Sequence, residues 1–326
     1  MSVKAAPDAD HDHRHKQQNN DSNLSVHAAI ASVGVALFLV AIKGYATAQT
    51  GSVAMLASLA DTGLDLVASL VTLFAVRYAM RPADSEHRFG HGKAEALSAM
   101  FQVMLITASA IVIGYRAIAR LQDGENAARP EYGIIVSVIA IVVTIGLLAY
   151  QRMVIRRTGS VAIHADHVHY QTDLLLNLAV IAALVLDVVL ELRGADAFFG
   201  IAIALWLLRG GWNAASNAMD HLMDREWPDK KRQRFIDIAM THPELKDMHD
   251  LRTRSSGPDD FVQFHVSVDG DMTVAAAHKV MDEVEAKLMK QFPGVEILIH
   301  PDPEGLVQQE GGEIAQPSRA PRPDIR

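Results

Sequence analysis

The chain has 326 residues, half of them apolar, and a formal charge of -8 at neutral pH. It contains no cysteine, which excludes disulfides and thiolate ligands and leaves any metal to nitrogen and oxygen donors. No basic stripe exceeds Lys230, Lys231, Arg232 and Arg234, so a nucleic-acid partner is not expected.

Residues 1–23 are polar, with no apolar core before a small-residue cleavage site, and read as a disordered His-containing tail rather than a signal peptide. Its "HDHRHK" segment admits two readings, a weak metal collector or a plain solvated tail, and no site is assigned to it. Six apolar stretches follow, at 26–48, 52–76, 96–119, 133–150, 168–190 and 197–219. Each approaches or exceeds the roughly 20 residues that cross a hydrocarbon core, so 24–222 is expected to be a six-helix transmembrane domain in a lipid bilayer. Arg77, Arg81, Arg88 and Lys93 follow the second span, and Arg152, Arg156 and Arg157 follow the fourth. By the positive-inside tendency both connections, and with them both termini, are expected in the cytoplasm. Arg116, Arg120 and Arg129 near the opposite loop are accompanied by Asp123, Glu125 and Glu131.

Residues 223–305 have the composition of a small soluble α+β domain, with the order helix, strand, strand, helix, strand. In "FVQFHVSVD", Val262, Phe264, Val266 and Val268 alternate with Phe261, Gln263, His265 and Ser267, as in a half-buried strand. "TVAAAHKVMDEVEAKLMKQF" has helical spacing, and Pro293 with Gly294 stops it before the strand "VEILIH". Residues 306–326 read as a second disordered tail.

Two spans carry matched polar pairs. "SLADTGLDLVASL" sets Asp61 and Asp65 four residues apart in the second span, and His169 and Asp173 repeat that spacing in the fifth. On a helix each pair shares one face, so two helices can supply a tetrahedral ligand set. An aspartate at the centre of a membrane helix costs about 2.5 to 3.5 kcal/mol on insertion scales. A divalent cation offsets that directly, because neutral imidazole and carboxylate oxygens are donors zinc accepts. Without the cation, desolvation and mutual repulsion favour protonated carboxyls. Metal and protons then compete for one site. A lone intramembrane Asp or His is more simply a helix-helix or interfacial residue, but two matched pairs are not. Asp166, His164 and His167 fall before the fifth span and read as interfacial. Lys43 and Arg209 read as snorkelling.

The loop "RPADSEHRFGHGKAEALSAM" places Asp84, His87 and His91 at i, i+3 and i+7, while Pro82, Gly90 and Gly92 argue for a loop rather than a helix. Metal binding and a tight turn into the third span both fit this spacing.

"DTGLD", "EHRFGHGKAEALSAM", "HADHVHYQTD" and "HDLRTRSSGPDDFVQFH" together resemble the cation diffusion facilitator family, above all its bacterial zinc and ferrous-iron efflux branch, over about residues 24–305. That resemblance implies a six-span homodimer of the cell inner membrane that exports divalent metal in exchange for protons. It also implies an αββαβ, ferredoxin-like cytoplasmic domain for metal binding and dimerisation. Asp61, Asp65, His169 and Asp173 inherit the transport site, and Asp84, His87 and His91 match the loop site. His249, His265, His278, His300 and Asp302 match a binuclear zinc site, with zinc or another divalent transition metal both substrate and structural or regulatory ion. Pro301 stands where close relatives commonly have Gln and offers no side-chain ligand. Lys93 and Asp224 map to an inter-subunit charge pair.

The cargo expected is zinc, with iron(II), cadmium(II), manganese(II) and cobalt(II) open because affinity order alone does not select. A membrane metal sensor or a metal-dependent membrane enzyme is the competing reading. An enzyme needs an open coordination position with a separate acid or base, and no such motif, nucleophile elbow or phosphate loop is visible. A non-enzyme is therefore expected.

Overall fold

A computed structural model of the chain describes residues 9–50, 53–123, 133–190, 195–257 and 259–305. They fall into two compact units, the first reaching Met223 and the second starting at Asp224.

The first unit contains the helices α1 (Ala9–Thr50), α2 (Val53–Ala79), α3 (Ala94–Asp123), α4 (Gly133–Thr158), α5 (Val161–Leu190) and α6 (Ala195–Leu222). Among the described residues, α1 to α4 each contain a stretch long and apolar enough to cross a membrane: Asn23–Gln49, Ser58–Ala79, Ala94–Ala119 and Val138–Thr158. The fifth and sixth expected spans fall in α5 and α6, many of whose side chains lie outside the described residues.

Packing within this unit follows the logic of a lipid solvent, where small residues let backbones approach and large apolar ones face outward. Ala28, Ala29, Ala99, Ala165 and Ala218 are buried, while Leu64, Phe74, Leu205 and Trp212 are exposed. The contact of α6 with α3 is close enough that a Cβ on Gly200 would stand 2.8 Å from that of Ala117. The α5 helix touches each of the other helices of this unit. Its entry is sharply defined. Gly159, with φ 64, closes α4 in the left-handed conformation that glycine tolerates, and its N–H donates to the Ile155 carbonyl at 2.9 Å. Ser160 then accepts from the Ile163 N–H at 3.3 Å and donates to Glu95 at 2.5 Å, so α5 starts on a capped turn.

The second unit has the order α7 (Asp229–Ala239), β1 (Asp247–Ser256), β2 (Asp259–Val268), α8 (Val274–Gln291) and β3 (Val295–Pro303). The sheet order is β1-β2-β3, with β2 and β3 parallel. Val262, Phe264, Val266 and Val268 form the buried face with Phe235, Val284 and Leu288 from the helices. Trp227, Phe235, Phe264 and Phe292 stack edge and face through that core, with centroids 5.3–5.9 Å apart. The Thr273 hydroxyl caps α8 by accepting from the Ala276 N–H at 3.2 Å. The αββαβ fold expected from the sequence is the fold observed.

Three expectations change. Residues 9–23 are helical rather than disordered, because they continue α1: extending a formed helix adds one hydrogen bond per residue without a new nucleus. Residues 1–8, 124–132 and 306–326, which include the C-terminal tail and the charged loop after α3, lie outside the described residues. The fifth helix begins at Val161 rather than 168, which carries His164, Asp166 and His167 into its first turns. Finally, β2 is covered on both faces near its ends, since Phe261 and Ser267 are also buried.

Three candidate metal centres

The helical bundle brings Asp65 of α2 together with His169 and Asp173 of α5, one ligand atom of each lying within 4.8 Å of the other two. His169 Nε2 stands 3.1 Å from Asp65 Oδ1. His169 is buried, and both its Nδ1 and Asp173 Oδ2 lack a hydrogen-bond partner among the described residues. Unsatisfied polar atoms at such a position are costly unless something occupies the site. Asp61, one turn before Asp65, is exposed and lies outside this triad. The helical pairing of the sequence therefore resolves into three convergent groups and a fourth nearby.

Two residues at this depth depart from the expected reading. Lys43 does not snorkel: its Nζ donates to Thr62 Oγ1 at 2.6 Å, placing an ammonium beside the Asp61–Asp65 turn, where its electrostatic partners are Asp65, Asp173 and Asp61. Asp166 is not interfacial: it is fully buried, and its carboxylate accepts from Ser32 at 2.6 Å, Gln151 at 2.8 Å and Gln102 at 3.0 Å. The available signal was the set of partners, since Ser32, Gln102 and Gln151 are polar residues inside apolar stretches.

The connection between α2 and α3 forms the second cluster, and it is a loop as its proline and glycines required. Asp84 Oδ1 accepts from the N–H groups of His87 and Glu86 at 2.6 and 2.9 Å, an Asx turn that brings His87 Nδ1 to 3.3 Å. The buried His91 places Nε2 3.3 Å from Asp84 Oδ2, and its Nδ1 meets the Arg81 carbonyl at 3.2 Å. The His87 N–H leads in holding the Asp84 carboxyl below the usual range; desolvation opposes it, and the Glu86 N–H and the two imidazoles add to the lowering.

The third cluster lies on the sheet of the second unit, on the face away from its core. The parallel register sets His265 beside His300 and Ser267 beside Asp302. Asp302 Oδ2 receives His265 Nδ1 at 2.8 Å and His249 Nε2 at 3.2 Å, while Oδ1 lies 3.4 Å from His300 Nε2. His249, His265 and Asp302 each offer a ligand atom within 4.8 Å of the others. Burial pushes the Asp302 carboxyl up, but the His265 hydrogen bond and the charges of His265, His300 and His249 outweigh it and hold the group low. His278, on α8, stands apart: it is exposed, and its nearest acid is Asp282 at 3.7 Å. Two imidazoles and a carboxylate are donors that suit zinc. Asp224 has φ 55, with Arg254 at 4.0 Å, and Lys93 donates to the Leu222 carbonyl at 3.3 Å.

Residues 29–223 match the family model described as "Cation efflux transmembrane domain", and 227–304 that described as "Cation efflux protein, cytoplasmic domain". The chain is 42% identical over 284 residues to the "Cation-efflux pump FieF" of Escherichia fergusonii, covering 87% of this chain and 94% of the relative. It is 41% identical over 290 residues to the protein of the same name from Cronobacter sakazakii, covering 89% and 96%. Among solved structures it is similar to CzrB in its zinc form, at 36% identity over 26% of this chain and 96% of that one, with a TM-score of 0.24. It is also similar to the metal-bound C-terminal domain of the CzcD transporter from Thermotoga maritima, at 23% identity over 25% of this chain and all of that one, with a TM-score of 0.24.

Proposed function

This chain belongs to the cation diffusion facilitator family of cation efflux transporters, and from that premise we propose that it exports divalent transition-metal ions, zinc foremost, from the cytoplasm in exchange for protons. The observation that carries this reading is the convergence of Asp65, His169 and Asp173 inside an apolar bundle, with two ligand atoms left without hydrogen-bond partners among the described residues. Asp61 is the fourth ligand, drawn in from one turn away on α2 when the ion binds.

Charge explains the exchange. Three carboxylates and the Lys43 ammonium leave the site with two negative charges, which one divalent ion or two protons neutralise. A dehydrating cation captured from one side is released on the other when protons take its place, provided that the helices alternate access. The transport site thereby prefers to be occupied by one or the other, and an empty return is disfavoured.

The protein works in this proposal as a homodimer of the inner membrane with both termini in the cytoplasm. Residues 24–222 form its transmembrane domain and 223–305 its cytoplasmic metal-binding and dimerisation domain. His249, His265 and Asp302, with His300 adjoining, hold zinc there, and His278 and Asp224 with Lys93 belong to contacts that dimerisation completes. Such an ion regulates transport only if it binds the two conformations unequally. Asp84, His87 and His91 form an accessory site at the loop.

Zinc uptake into vesicles reconstituted with the full chain, under an imposed pH gradient, tests this function. Uptake that follows the gradient and disappears with Asp173→Ala is expected. Zinc binding without flux would sink the exporter in favour of a sensor.

A further inference from the structure

Asp166 has no place in the ligand triad, yet it is fully buried in α5, the helix that carries His169 and Asp173. Its spacing to them is i, i+3 and i+7, so the three share one face of the helix. Among the described residues no cation stands within hydrogen-bonding distance of its carboxyl group. The group is held by neutral donors from three different helices: Ser32 of α1 at 2.6 Å, Gln102 of α3 at 3.0 Å and Gln151 of α4 at 2.8 Å. Gln151 also donates to Ser32 at 3.0 Å, and Gln102 donates to Thr72 of α2 at 2.5 Å. About one turn further along the same stripe, Tyr170 meets Ser69 of α2 at 2.9 Å and donates to the Ser32 carbonyl at 3.1 Å. Every member of this network is buried.

We infer that Asp166 is a positioning residue of the proposed transport site: it pins α5 to α1, α3 and α4 and thereby sets the angle at which His169 and Asp173 meet Asp65. This rests on the reading of that triad as the transport site. The tolerances make such a pin consequential. Side-chain atoms stand about 5 to 6 Å from a helix axis, so turning α5 by about 10° carries a ligand atom about 1 Å. Metal-ligand distances tolerate only about 0.2 Å. The small alanine contacts around α5, at Ala99, Ala165 and Ala218, resist rotation weakly, whereas three hydrogen bonds to one carboxylate define it.

The test compares Asp166→Ala, Asp166→Asn, Gln102→Leu, Ser32→Ala and Asp173→Ala in the full chain reconstituted into vesicles, with zinc and cadmium uptake measured separately. Asp166→Ala is expected to raise the zinc concentration for half-maximal uptake by about tenfold, the range in which loss of a ligand-orienting partner falls. The zinc-to-cadmium preference shifts with it, and Asp166→Asn recovers part of both. A merely structural role would reduce folded protein, read by gel filtration, and maximal rate without moving half-saturation or metal preference. Folded Asp166→Ala with unchanged half-saturation and preference overturns the inference. Should that variant not fold, Gln102→Leu and Ser32→Ala decide: a shift in the same direction supports the pin, and unchanged values in both overturn it. Asp173→Ala separates the two readings, since uptake that survives it removes the transport site itself, whatever Asp166 does.

Discussion

The membrane triad and the sheet-face triad use nearly the same chemistry in opposite surroundings. Asp65, His169 and Asp173 sit within an apolar bundle with two ligand atoms unpartnered among the described residues, His169 Nδ1 and Asp173 Oδ2, whereas the part-exposed Asp302 already has His249, His265 and His300 around it, leaving one such atom, His249 Nδ1. Leaving the first unoccupied is expensive, because buried polar groups lose water without replacement. The second loses less, since partial exposure to solvent and the imidazoles gathered on Asp302 stand in for an ion. A set built on a buried imidazole inside an apolar bundle suits obligatory exchange of one cation for another, and a part-exposed set suits optional occupancy that follows the surrounding concentration.

The largest effect that would break this contrast is expected from Asp173→Ala, which should reduce zinc flux into reconstituted vesicles to background. Flux above background would place the path elsewhere. Next comes Lys43→Met, which removes the positive charge beside the acidic turn. At a separation on the order of 10 Å and an effective dielectric of about 20, that unit charge repels a divalent ion by about 3.3 kcal/mol, so zinc should bind on the order of a hundredfold more tightly. Turnover should fall because release slows, and weaker binding in a metal-competition titration would contradict the assignment. His265→Ala should act more mildly, leaving maximal flux intact while raising about tenfold the zinc concentration that activates transport; an unchanged activation curve would detach the sheet face from regulation.

The smallest effect concerns Asp302 without metal. Its carboxyl is held below the usual aspartate range, so its stabilising contribution is complete above that range and disappears as pH falls through the lowered value. Thermal unfolding of the full chain in detergent with a zinc chelator should therefore show Asp302→Asn below the parent chain at pH 7, with the gap closing under strongly acid conditions. A gap that widens on acidification would reverse the sign.

The helices of the first unit, the αββαβ order and the core face of β2 were legible because each depends on a period within one element. The same holds for His169 with Asp173, whose four-residue spacing places both on one side of α5 whatever surrounds it. Asp84, His87 and His91 were legible for a related reason, since an Asx turn is closed by neighbours in the chain. Asp166 and Lys43 were misread because a charge in an apolar stretch is interpreted by its partner, and Ser32, Gln102 and Thr62 come from other helices. His278 was grouped with the sheet histidines although α8 carries it elsewhere on this chain.

Local periodicity thus determined, from sequence alone, which side chains share a face of a helix or strand and which segments must avoid water. The tertiary structure decided which faces meet: α5 against every other helix of its unit, Asp65 and not Asp61 in the triad, and Asp166 under three neutral donors. The physical reason is that backbone geometry repeats identically along an element, whereas the angle between elements is set by the packing of small residues and buried hydrogen bonds contributed from distant parts of the chain.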